Sequence, residues 1–540
     1  MAPDEAMMCH APNDRPKTAR SRLMLAALSI VLSAASVHPQ TVLPRITLES
    51  GEKFFRLDGR PLVMLGTNPT GWDQGGSRRL EHFQELLGWA SVNERIVRVH
   101  VTNGKVPRPA RAGELDTEWV TFWDDVFTLA EQNGVYVLPV FDVWAGWSTR
   151  SSSTQAWATN IYNRNSTDPG CANGTLVCGP AVNPVELLDD TPTRTLWLAW
   201  MRQLVDHWKS RPNIVGWEIF SELDLIDFPA GLTSEQKAEK GAAFVEAAAA
   251  IIYQIDPSRP LTASLSGVND WPRLSTSSAV DFIQIHPYAE VSPYNGNLDE
   301  LILARVRERL TMYGKPVFIG ESGLDSRAPV TSNTRALSPN ATVGINHAIW
   351  AEAMSGAMTA RMLWFEDGYD RYHFFPAGQT TTRLDLRTKY KDASAPVARF
   401  LASVDYSGFQ PIRATFSSGV TGAALGSESL IVGWVRDKLS AASANWPATP
   451  GWPDTAPLAG QTVTVAAPGR SNEWLVTFYD TSTGTAVDSV STSQAADGSM
   501  IVKLPSFKPS IAFQIRAVSP GVIGGTGRAA HRRSMATGGQ

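Results

Sequence analysis

Two stretches of this 540-residue chain decide its fold, NIVGWEIFSE at residues 213–222 and KPVFIGES at residues 315–322. Each is a short apolar and β-branched run that ends at or beside a glutamate, and six similar runs lie between residues 62 and 367. The eight runs are LVMLGTN (62–68), RIVRVHV (95–101), VYVLPVFDV (135–143), NIVGWEIFSE (213–222), PLTASLSG (260–267), VDFIQIHPY (280–288), KPVFIGES (315–322) and ARMLWFED (360–367). Amphipathic or Ala-rich stretches separate them. Strand–helix alternation repeated eight times predicts an α/β protein with a (β/α)8 barrel rather than an open sheet.

The pattern changes after about residue 405. Short strand-like pieces separated by turn residues follow, without helical repeats, and predict a small antiparallel β-sandwich. Residues 441–460, rich in Ala, Pro and Trp, are expected to form a long irregular loop within it. We therefore predict a barrel over 37–405, a sandwich over 406–517 and a disordered Gly-rich tail over 518–540.

The composition excludes some classes of partner. Lys plus Arg number 48 and Asp plus Glu 52, so the net charge is −4. Such a chain has no global electrostatic attraction to nucleic acid and no polybasic patch for a membrane surface. No P-loop, HExxH, CxxC or GxSxG motif is present, and no cofactor is expected. We expect a monomer.

The N-terminus predicts export. A basic segment, RPKTARSR at 15–22, precedes an uncharged run at 23–37 that is short for a membrane span. This order fits a signal peptide over 1–36, cut near small residues; a short N-terminal core helix is the alternative. The mature protein would then be secreted or periplasmic, with no membrane attachment after signal removal.

Export leaves two cysteines, Cys171 and Cys178, in a loop rich in Gly, Asn and Pro. An even pair in an exported chain predicts a local disulfide. A metal is not expected, since no other Cys or His lies nearby at ligand spacing.

Glu222 and Glu321 carry the predicted chemistry. Both lie at the carboxyl ends of predicted strands, where barrel enzymes hold their active sites. Two carboxylates facing each other across a cleft are what cleavage of a glycosidic bond requires. The alternative is that they are loop carboxylates or members of structural ion pairs.

Alternation along the strands predicts which side chains face the barrel interior. They are Arg98, His100, Glu218, Phe220, Glu222, Gln284, His286, Tyr288, Val317, Ile319, Glu321, Met362, Trp364 and Glu366. Because buried polar groups need partners, we expect Arg98 to bind Glu321 or Glu218. We interpret Glu218 as a structural acid below the site and His100 as a core or cleft-floor histidine.

These motifs together resemble the glycoside hydrolases of the (β/α)8 clan whose catalytic glutamates follow strands four and seven. Family 5, the cellulase and mannanase family, is the nearest, and the resemblance covers roughly residues 45–400. WEIFSE resembles the strand-four motif and FIGES the strand-seven motif, which implies that Glu222 is the acid/base and Glu321 the nucleophile. RVHV, IHPY and LWF resemble the segments around the sugar site, which implies substrate-binding roles for Arg98, His286, Tyr288 and Trp364.

One position departs from the family pattern. The family usually has Asn before the acid/base, where it binds the sugar 2-hydroxyl, and this chain has Ser221 there. A serine hydroxyl can still donate a hydrogen bond, although it reaches less far. We expect Glu321 to stay ionised beside Arg98, Glu222 to stay protonated and Tyr288 to donate to the nucleophile.

Aromatic residues near the strand ends are candidates for stacking on sugars. They are Trp72, Trp144, Trp147, Trp271 and Trp364, of which the resemblance singles out Trp364. Possible glycan contacts in the sandwich are Trp434, Trp446, Trp452 and Trp474, and a purely structural cap is the alternative for that domain. Asp224, Glu366 and Asp367 are either contacts to sugar hydroxyls or solvated acids.

The sequence therefore predicts a secreted retaining β-glycoside hydrolase acting on a mannan- or glucan-like polysaccharide or oligosaccharide. A transglycosylase on the same scaffold is one alternative. A non-catalytic barrel that binds glycans is the other, and the intact Glu222, Glu321 and Arg98 weigh against it.

Overall fold

The computed structural model describes residues 43–69, 79–102, 107–151, 156–326, 335–368, 386–444, 446, 450–471 and 473–518. The predicted signal segment, the tail beyond residue 518 and Trp72 lie outside the described residues. Among the described residues, no helix combines the length and the apolar composition needed to span a bilayer.

A small antiparallel sheet precedes the barrel and was not predicted. Its strands are β1 (Ile46–Thr47), β2 (Phe55–Leu57) and β3 (Arg60–Leu62). Phe55 packs edge-on against Phe282 and Phe318, which lie in the sixth and seventh of the predicted barrel runs. The sheet therefore covers the end of the barrel where the strands begin.

Eight parallel strands in the described residues form the barrel, one for each predicted run. They are β4 (Met64–Thr67), β5 (Ile96–His100), β6 (Tyr136–Val140), β7 (Trp217–Glu218), β8 (Leu261–Thr262), β9 (Ile283–Ile285), β10 (Val317–Ile319) and β11 (Thr359–Leu363). Six pair in the order β11-β4-β5-β6-β7-β8, and β9 pairs with β10. Single bridges, Ser264 with Gln284 and Ser322 with Leu363, join the two groups into a ring. The predicted fold class is confirmed.

Helices follow the strands around the outside of the ring. They are α1 (Arg79–Asn93), α2 (Thr117–Gln132), α3 (Pro169–Ala172), α4 (Pro192–Trp208), α5 (Ser234–Ile255), α6 (Pro272–Ser275), α7 (Leu298–Tyr313), α8 (Ala341–Met354), α9 (Phe365–Gly368), α10 (Leu386–Tyr390) and α11 (Ala395–Leu401). Their starts follow local capping chemistry. The Asp116 carboxylate accepts from the Trp119 backbone at the start of α2, and Thr233 with Gln236 forms a capping box at the start of α5.

Strand β5 shows how the alternation of side chains builds both the core and the site. Val97 and Val99 face outward and join the apolar cluster that contains Trp119 and Trp123 of α2. Arg98, between the two valines, is fully buried in the opposite direction, toward the interior. One strand therefore supplies packing on one face and a cation for the barrel mouth on the other.

The strands after the barrel form two antiparallel sheets, as predicted. They are β12 (Gln410–Pro411), β13 (Ala414–Phe416), β14 (Val420–Gly426), β15 (Leu430–Asp437), β16 (Thr462–Ala466), β17 (Trp474–Asp480), β18 (Ala486–Thr492), β19 (Ser499–Lys503) and β20 (Ser510–Ala517). One sheet has the order β12-β14-β15-β20-β17-β18 and the other β13-β16-β19. Val463, Trp474, Phe478 and Phe513 belong to the apolar core of this sandwich.

The sandwich packs directly on the barrel. Helix α8 is apolar almost throughout, because it lies between strand β11 on one side and strands β14 and β15 on the other. The Trp350 indole of α8 donates to the carbonyl of Thr481, at 3.0 Å. The Arg436 guanidinium of β15 binds Asp299 at 2.5 Å and Glu300 at 2.6 Å, both on α7.

We expect Arg436→Ala to destabilise the protein by about 3–5 kcal/mol, because the buried Asp299 would lose its charged partner. The free energy of unfolding from urea titration measures this loss. Arg470→Ala is the matched control, since Arg470 is exposed and bonds only to the carbonyl of Ala496 among its described contacts. Equal stability of the two variants would contradict the interface.

The predicted disulfide between Cys171 and Cys178 is confirmed. Just before it, Asp168 caps the single-turn helix α3, and the cystine lies in that helix and the turn after it. Backbone hydrogen bonds link this segment to the loop before α2, where Val177 donates to Ala110 and Ala112 donates to Val177. The disulfide thus stabilises the loop between β6 and α4, which contains neither Glu222 nor Glu321.

Candidate active site

Glu222 and Glu321 meet at the carboxyl ends of the barrel strands. Glu321 follows β10 by two residues, and Glu222 follows β7 by four. One carboxylate oxygen from each and the Nδ1 or Nε2 atom of His286 all lie within 4.8 Å of one another. Two distant parts of the sequence thus form one pocket.

Glu321 is held by a cation and a phenol. Its Oε1 accepts from Arg98 at 2.8 Å, and its Oε2 accepts from the Tyr288 hydroxyl at 2.6 Å. His286 Nδ1 lies 3.6 Å from the same Oε2. Burial and the neighbouring carboxylates raise the pKa of Tyr288 well above its usual range, so its hydroxyl keeps the proton that it donates.

Arg98 links the residues of the site. Its guanidinium binds both oxygens of Glu218 at 2.7 Å, and its Nη2 donates to Ser221 Oγ at 2.9 Å. A weaker contact of 3.4 Å joins it to Asn68. Although burial disfavours the charged form, Glu218 and Glu321 raise the pKa of Arg98, and it stays a cation. The two partners expected from the sequence are therefore both present.

Glu222 has an unusual backbone conformation. Its φ of 58° and ψ of 52° lie in the left-handed region, which costs a residue with a side chain about 1–3 kcal/mol. The Ser264 hydroxyl accepts from the Glu222 N–H at 3.1 Å and itself donates to Glu218 at 2.9 Å. Ser264 therefore links the strained residue to the acid below the site.

This bend overturns the predicted alternation on the fourth strand. Phe220 does not face the interior with Glu218 and Glu222 but packs outward against Phe244 of α5. Regular pairing stops at Glu218, and the chain then turns so that Ser221 and Glu222, although adjacent, both reach the pocket. Simple alternation holds only while the chain stays extended.

The surroundings of Glu222 favour its protonated form. Burial raises the pKa of Glu222 to about 8, and the neighbouring charges of Asp224 and Glu218 act in the same direction. Arg98 and a hydrogen bond from the Trp144 side chain oppose the rise without cancelling it. A carboxyl with this pKa holds a proton at neutral pH and can deliver it.

Two histidines flank the carboxyls and stay neutral. Burial lowers the pKa of His286 to about 4, while its Nδ1 lies 3.1 Å from Glu222 and its Nε2 3.3 Å from Gln284. Burial and the Arg98 charge lower the pKa of His100 well below its usual range. His100 packs edge-on against Trp364 with ring centres 5.0 Å apart, which agrees with its interpretation as a cleft-floor residue.

The predicted aromatic platforms separate into two groups. Trp364 follows β11, lies beside His100 and is 6% exposed, whereas Trp144 is partly exposed and hydrogen-bonds to Glu222. Trp147 is fully buried and donates to Asp142, and Trp271 packs on Phe228, so both serve packing. The sandwich tryptophans are also used in packing: Trp446 packs against Trp452, Trp434 packs beside His347, and Trp474 belongs to the sandwich core.

The acids near the mouth also differ from expectation. Asp224 accepts from the backbone and hydroxyl of Ser266, so it is fixed rather than merely solvated. Glu366 is buried in α9 and accepts from the Leu324 backbone at 2.9 Å. Asp367 is buried between Arg361 and Arg387 and is neither a sugar contact nor a solvated acid.

Sequence reasoning missed Asn68 and Ser264. Asn68 ends the first predicted run, where its amide donates to the carbonyls of Gly320 and Met362 and so connects the first, seventh and eighth strands. Ser264 lies in the fifth run, PLTASLSG, whose alternating Thr262, Ser264 and Ser266 was an available signal for a polar inner face.

Glu222, His286 and Glu321 could each present one ligand atom to a cation. However, both oxygens of Glu321 already accept hydrogen bonds, one of them from a guanidinium. The positive charge of the Arg98 guanidinium, 2.8 Å from Glu321, would repel a metal ion bound beside it. The donor set therefore fits proton transfer and nucleophilic attack better than metal binding.

No family model matches the chain, and no curated protein matches it by sequence. Its fold is similar to those of solved glycoside hydrolases. One structure described as a glycoside hydrolase aligns over 88% of this chain and 97% of its own, with a TM-score of 0.56 and 11% identity. A family 5 glycoside hydrolase from Bacteroides vulgatus covers 88% of this chain and 93% of its own, with a TM-score of 0.54 and 11% identity.

A putative glycoside hydrolase from the same organism covers 89% of this chain and 83% of its own, again with a TM-score of 0.54 and 11% identity. At this identity the likeness is one of fold. The alignments cover 88–89% of this chain, which is more than the barrel alone.

Proposed function

We propose that this protein is a retaining β-glycoside hydrolase that cleaves O-glycosidic bonds by double displacement. The observation that carries the proposal is the pair of carboxyls, Glu222 and Glu321, which approach within 4.8 Å in one pocket. Glu321 accepts hydrogen bonds from Arg98 and Tyr288, whereas burial and nearby acids raise the pKa of Glu222. Retaining enzymes hold their two carboxyl groups about 5–5.5 Å apart, and inverting enzymes hold them about 6.5–9.5 Å apart.

In the first step Glu321 attacks the anomeric carbon of the bound sugar and forms a glycosyl ester. The bond to the leaving oxygen breaks, and Glu222 gives that oxygen its proton. Arg98 and Tyr288 hold Glu321 in place for attack by contacts at 2.8 Å and 2.6 Å. Glu222 is left as a carboxylate.

In the second step the Glu222 carboxylate takes a proton from water, and the resulting hydroxide oxygen attacks the anomeric carbon. The ester bond to Glu321 breaks, the sugar leaves with its original anomeric configuration, and Glu222 is protonated again. His286 contacts Glu222 and stays neutral, both when Glu222 is protonated and when it is ionised.

The proposed substrate is a mannan- or glucan-like polysaccharide or oligosaccharide, bound with Trp364 beneath the reacting sugar. Arg98, Ser221, His286, Tyr288 and Trp144 would complete the sugar site. The neighbours named glycoside hydrolases support a carbohydrate substrate, and the disulfide between Cys171 and Cys178 is compatible with the secreted or periplasmic location that we propose.

The test combines substrate and stereochemistry. The mature protein is incubated with nitrophenyl β-glycosides and with mannan, cellulose, xylan and galactan, and released reducing sugar is measured. Proton NMR of the first product formed should show the β-anomer. An α-anomer would contradict the retaining mechanism, and no cleavage of any substrate would contradict the hydrolase. Transfer of the sugar to an added alcohol in preference to water would instead favour a transglycosylase.

We expect activity to fall as pH rises through about 8, because Glu222 then loses the proton that the leaving group needs. Asp224→Asn removes a charge that raises the pKa of Glu222, so this alkaline limb should move down by about one pH unit. The pH dependence of kcat/KM measures it. Asp227→Asn is the control, since Asp227 lies in the same segment but binds Ser148 and Thr149. An unmoved limb in Asp224→Asn would exclude Glu222 as the titrating acid.

A further inference from the structure

A second cavity lies where the barrel meets the sandwich. It measures about 560 Å3, within the range of small-molecule sites. Its walls come from the loop before β2, from α7, from the loop before β11 and from the segment of β12 and β13. Lys53 and Gly356 precede β2 and β11, which places the cavity at the end of the barrel where the strands begin, opposite the end that carries Glu222 and Glu321.

The charges around this cavity are all positive. Lys53, Arg307 and Arg413 line it, each from a different segment, and its lining contains no Asp or Glu. Within the described part of the chain, none of the three makes an ion pair, and Lys53 donates only to the carbonyl of Gly314. Three unpaired cations around one cavity repel each other and together attract an anion.

The rest of the lining suits a ring more than a bare ion. Leu310, Pro411 and Ile412 give the cavity an apolar wall beside the cations. The C–H faces of a sugar ring can pack on such a wall, while Arg307 and Arg413 can bind a carboxylate or sulfate through paired N–H donors. Partial burial lowers the pKa of Lys53, and a bound anion would favour its charged form.

We propose that this cavity binds an acidic saccharide residue, whose carboxylate or sulfate group lies among Lys53, Arg307 and Arg413. The choice of a saccharide as the carrier of the anion rests on the proposed function. The site would let the protein hold an acidic glycan at a point remote from the bond that it cleaves. It would therefore raise the affinity for polymers that carry both neutral and acidic sugars.

Calorimetric titration tests the site on the full chain. The probes are trigalacturonic acid, the neutral galactotriose and sodium sulfate, each to about 10 mM, because a few charged contacts give affinities in the millimolar range. The test variant is Arg307→Gln/Arg413→Gln. The matched control is Arg202→Gln/Arg470→Gln, which removes the same charge from two exposed arginines elsewhere.

We expect trigalacturonic acid to bind the unmodified protein and the control equally, and the test variant at least about tenfold more weakly. Added NaCl should weaken the binding of trigalacturonic acid. Any binding of galactotriose should be the same in the test variant and the control. The rate of hydrolysis of an aryl glycoside should be the same in all three proteins. Failure of the acidic-saccharide site can therefore be distinguished from failure of the proposed hydrolase activity.

Four results would overturn the proposal. Equal binding of trigalacturonic acid by the test variant and the control would move the site elsewhere, and no binding at all would remove it. Binding of sulfate without trigalacturonic acid would show an inorganic anion site and exclude the saccharide. A parallel loss of galactotriose binding in the test variant would exclude the role of charge.

Discussion

Glu321→Gln should lower kcat/KM on an aryl β-glycoside by a factor on the order of 10⁴ or more, because the amide cannot form the glycosyl ester. The fold should survive, since Gln has nearly the same shape and Arg98 keeps both oxygens of Glu218 as partners. Initial rates measure the loss, and circular dichroism with thermal unfolding checks the fold. Glu290→Gln is the matched control, since Glu290 follows β9 at the same end of the barrel but pairs with Arg335.

Chemical rescue separates the nucleophile from other roles. With Glu321→Gly, added azide should restore turnover of an activated aryl glycoside and give the α-glycosyl azide, because azide attacks directly from the vacated face. Retention of more than about a tenth of the original rate by Glu321→Gln would remove the assignment, since loss of a nucleophile costs far more than that.

Glu222→Ala should show a loss that depends on the leaving group. A natural saccharide, whose leaving oxygen needs a proton, should react about 10²–10⁴-fold more slowly. A dinitrophenyl glycoside leaves without a proton, so its ester with Glu321 should still form and then accumulate. Mass spectrometry of the protein detects that ester, and stopped-flow absorbance detects the burst of dinitrophenol.

Azide should here give the β-glycosyl azide, because it replaces water in the second step and attacks the ester from the side of Glu222. The two variants would thus yield azides of opposite configuration. A loss of equal size for both leaving groups would contradict the acid role of Glu222. Ser264→Ala is a useful comparison, since it removes the acceptor of the Glu222 N–H but leaves the carboxyl.

The order of strands and the place of the two glutamates could be predicted from the sequence. Each barrel strand overlaps a predicted run, because parallel strands buried on both faces need continuous apolar stretches. Arg98 and Tyr288 reach Glu321 as the alternation of side chains predicts. These features depend on periodicity within short segments, which a single sequence displays directly.

The local detail at Glu222 could not be predicted in the same way. The outward position of Phe220 follows from a left-handed residue two places later, and no glycine marks that bend. The partners that hold it, Ser264 among them, lie more than forty residues along the chain. Pairings of this kind depend on tertiary structure.

The burial of the sandwich tryptophans could not be predicted from the sequence either. Trp446 and Trp452 lie in an irregular stretch, where a tryptophan can equally face solvent or fill an interface. In the structure, Trp452 contacts Gly344 of α8, which has no side chain to exclude the indole. The same holds for Asp367, whose two arginine partners lie six residues before it and twenty residues after it in the chain.

The left-handed backbone at Glu222 has an evolutionary consequence. A glycine there would adopt this conformation freely and would also remove a partly buried carboxyl, so the more heat-resistant chain would be the inert one. Selection for thermal stability alone would replace Glu222. Only continued demand for turnover would keep glutamate there, and a laboratory screen that rewarded thermal tolerance without an assay of catalysis would favour its loss.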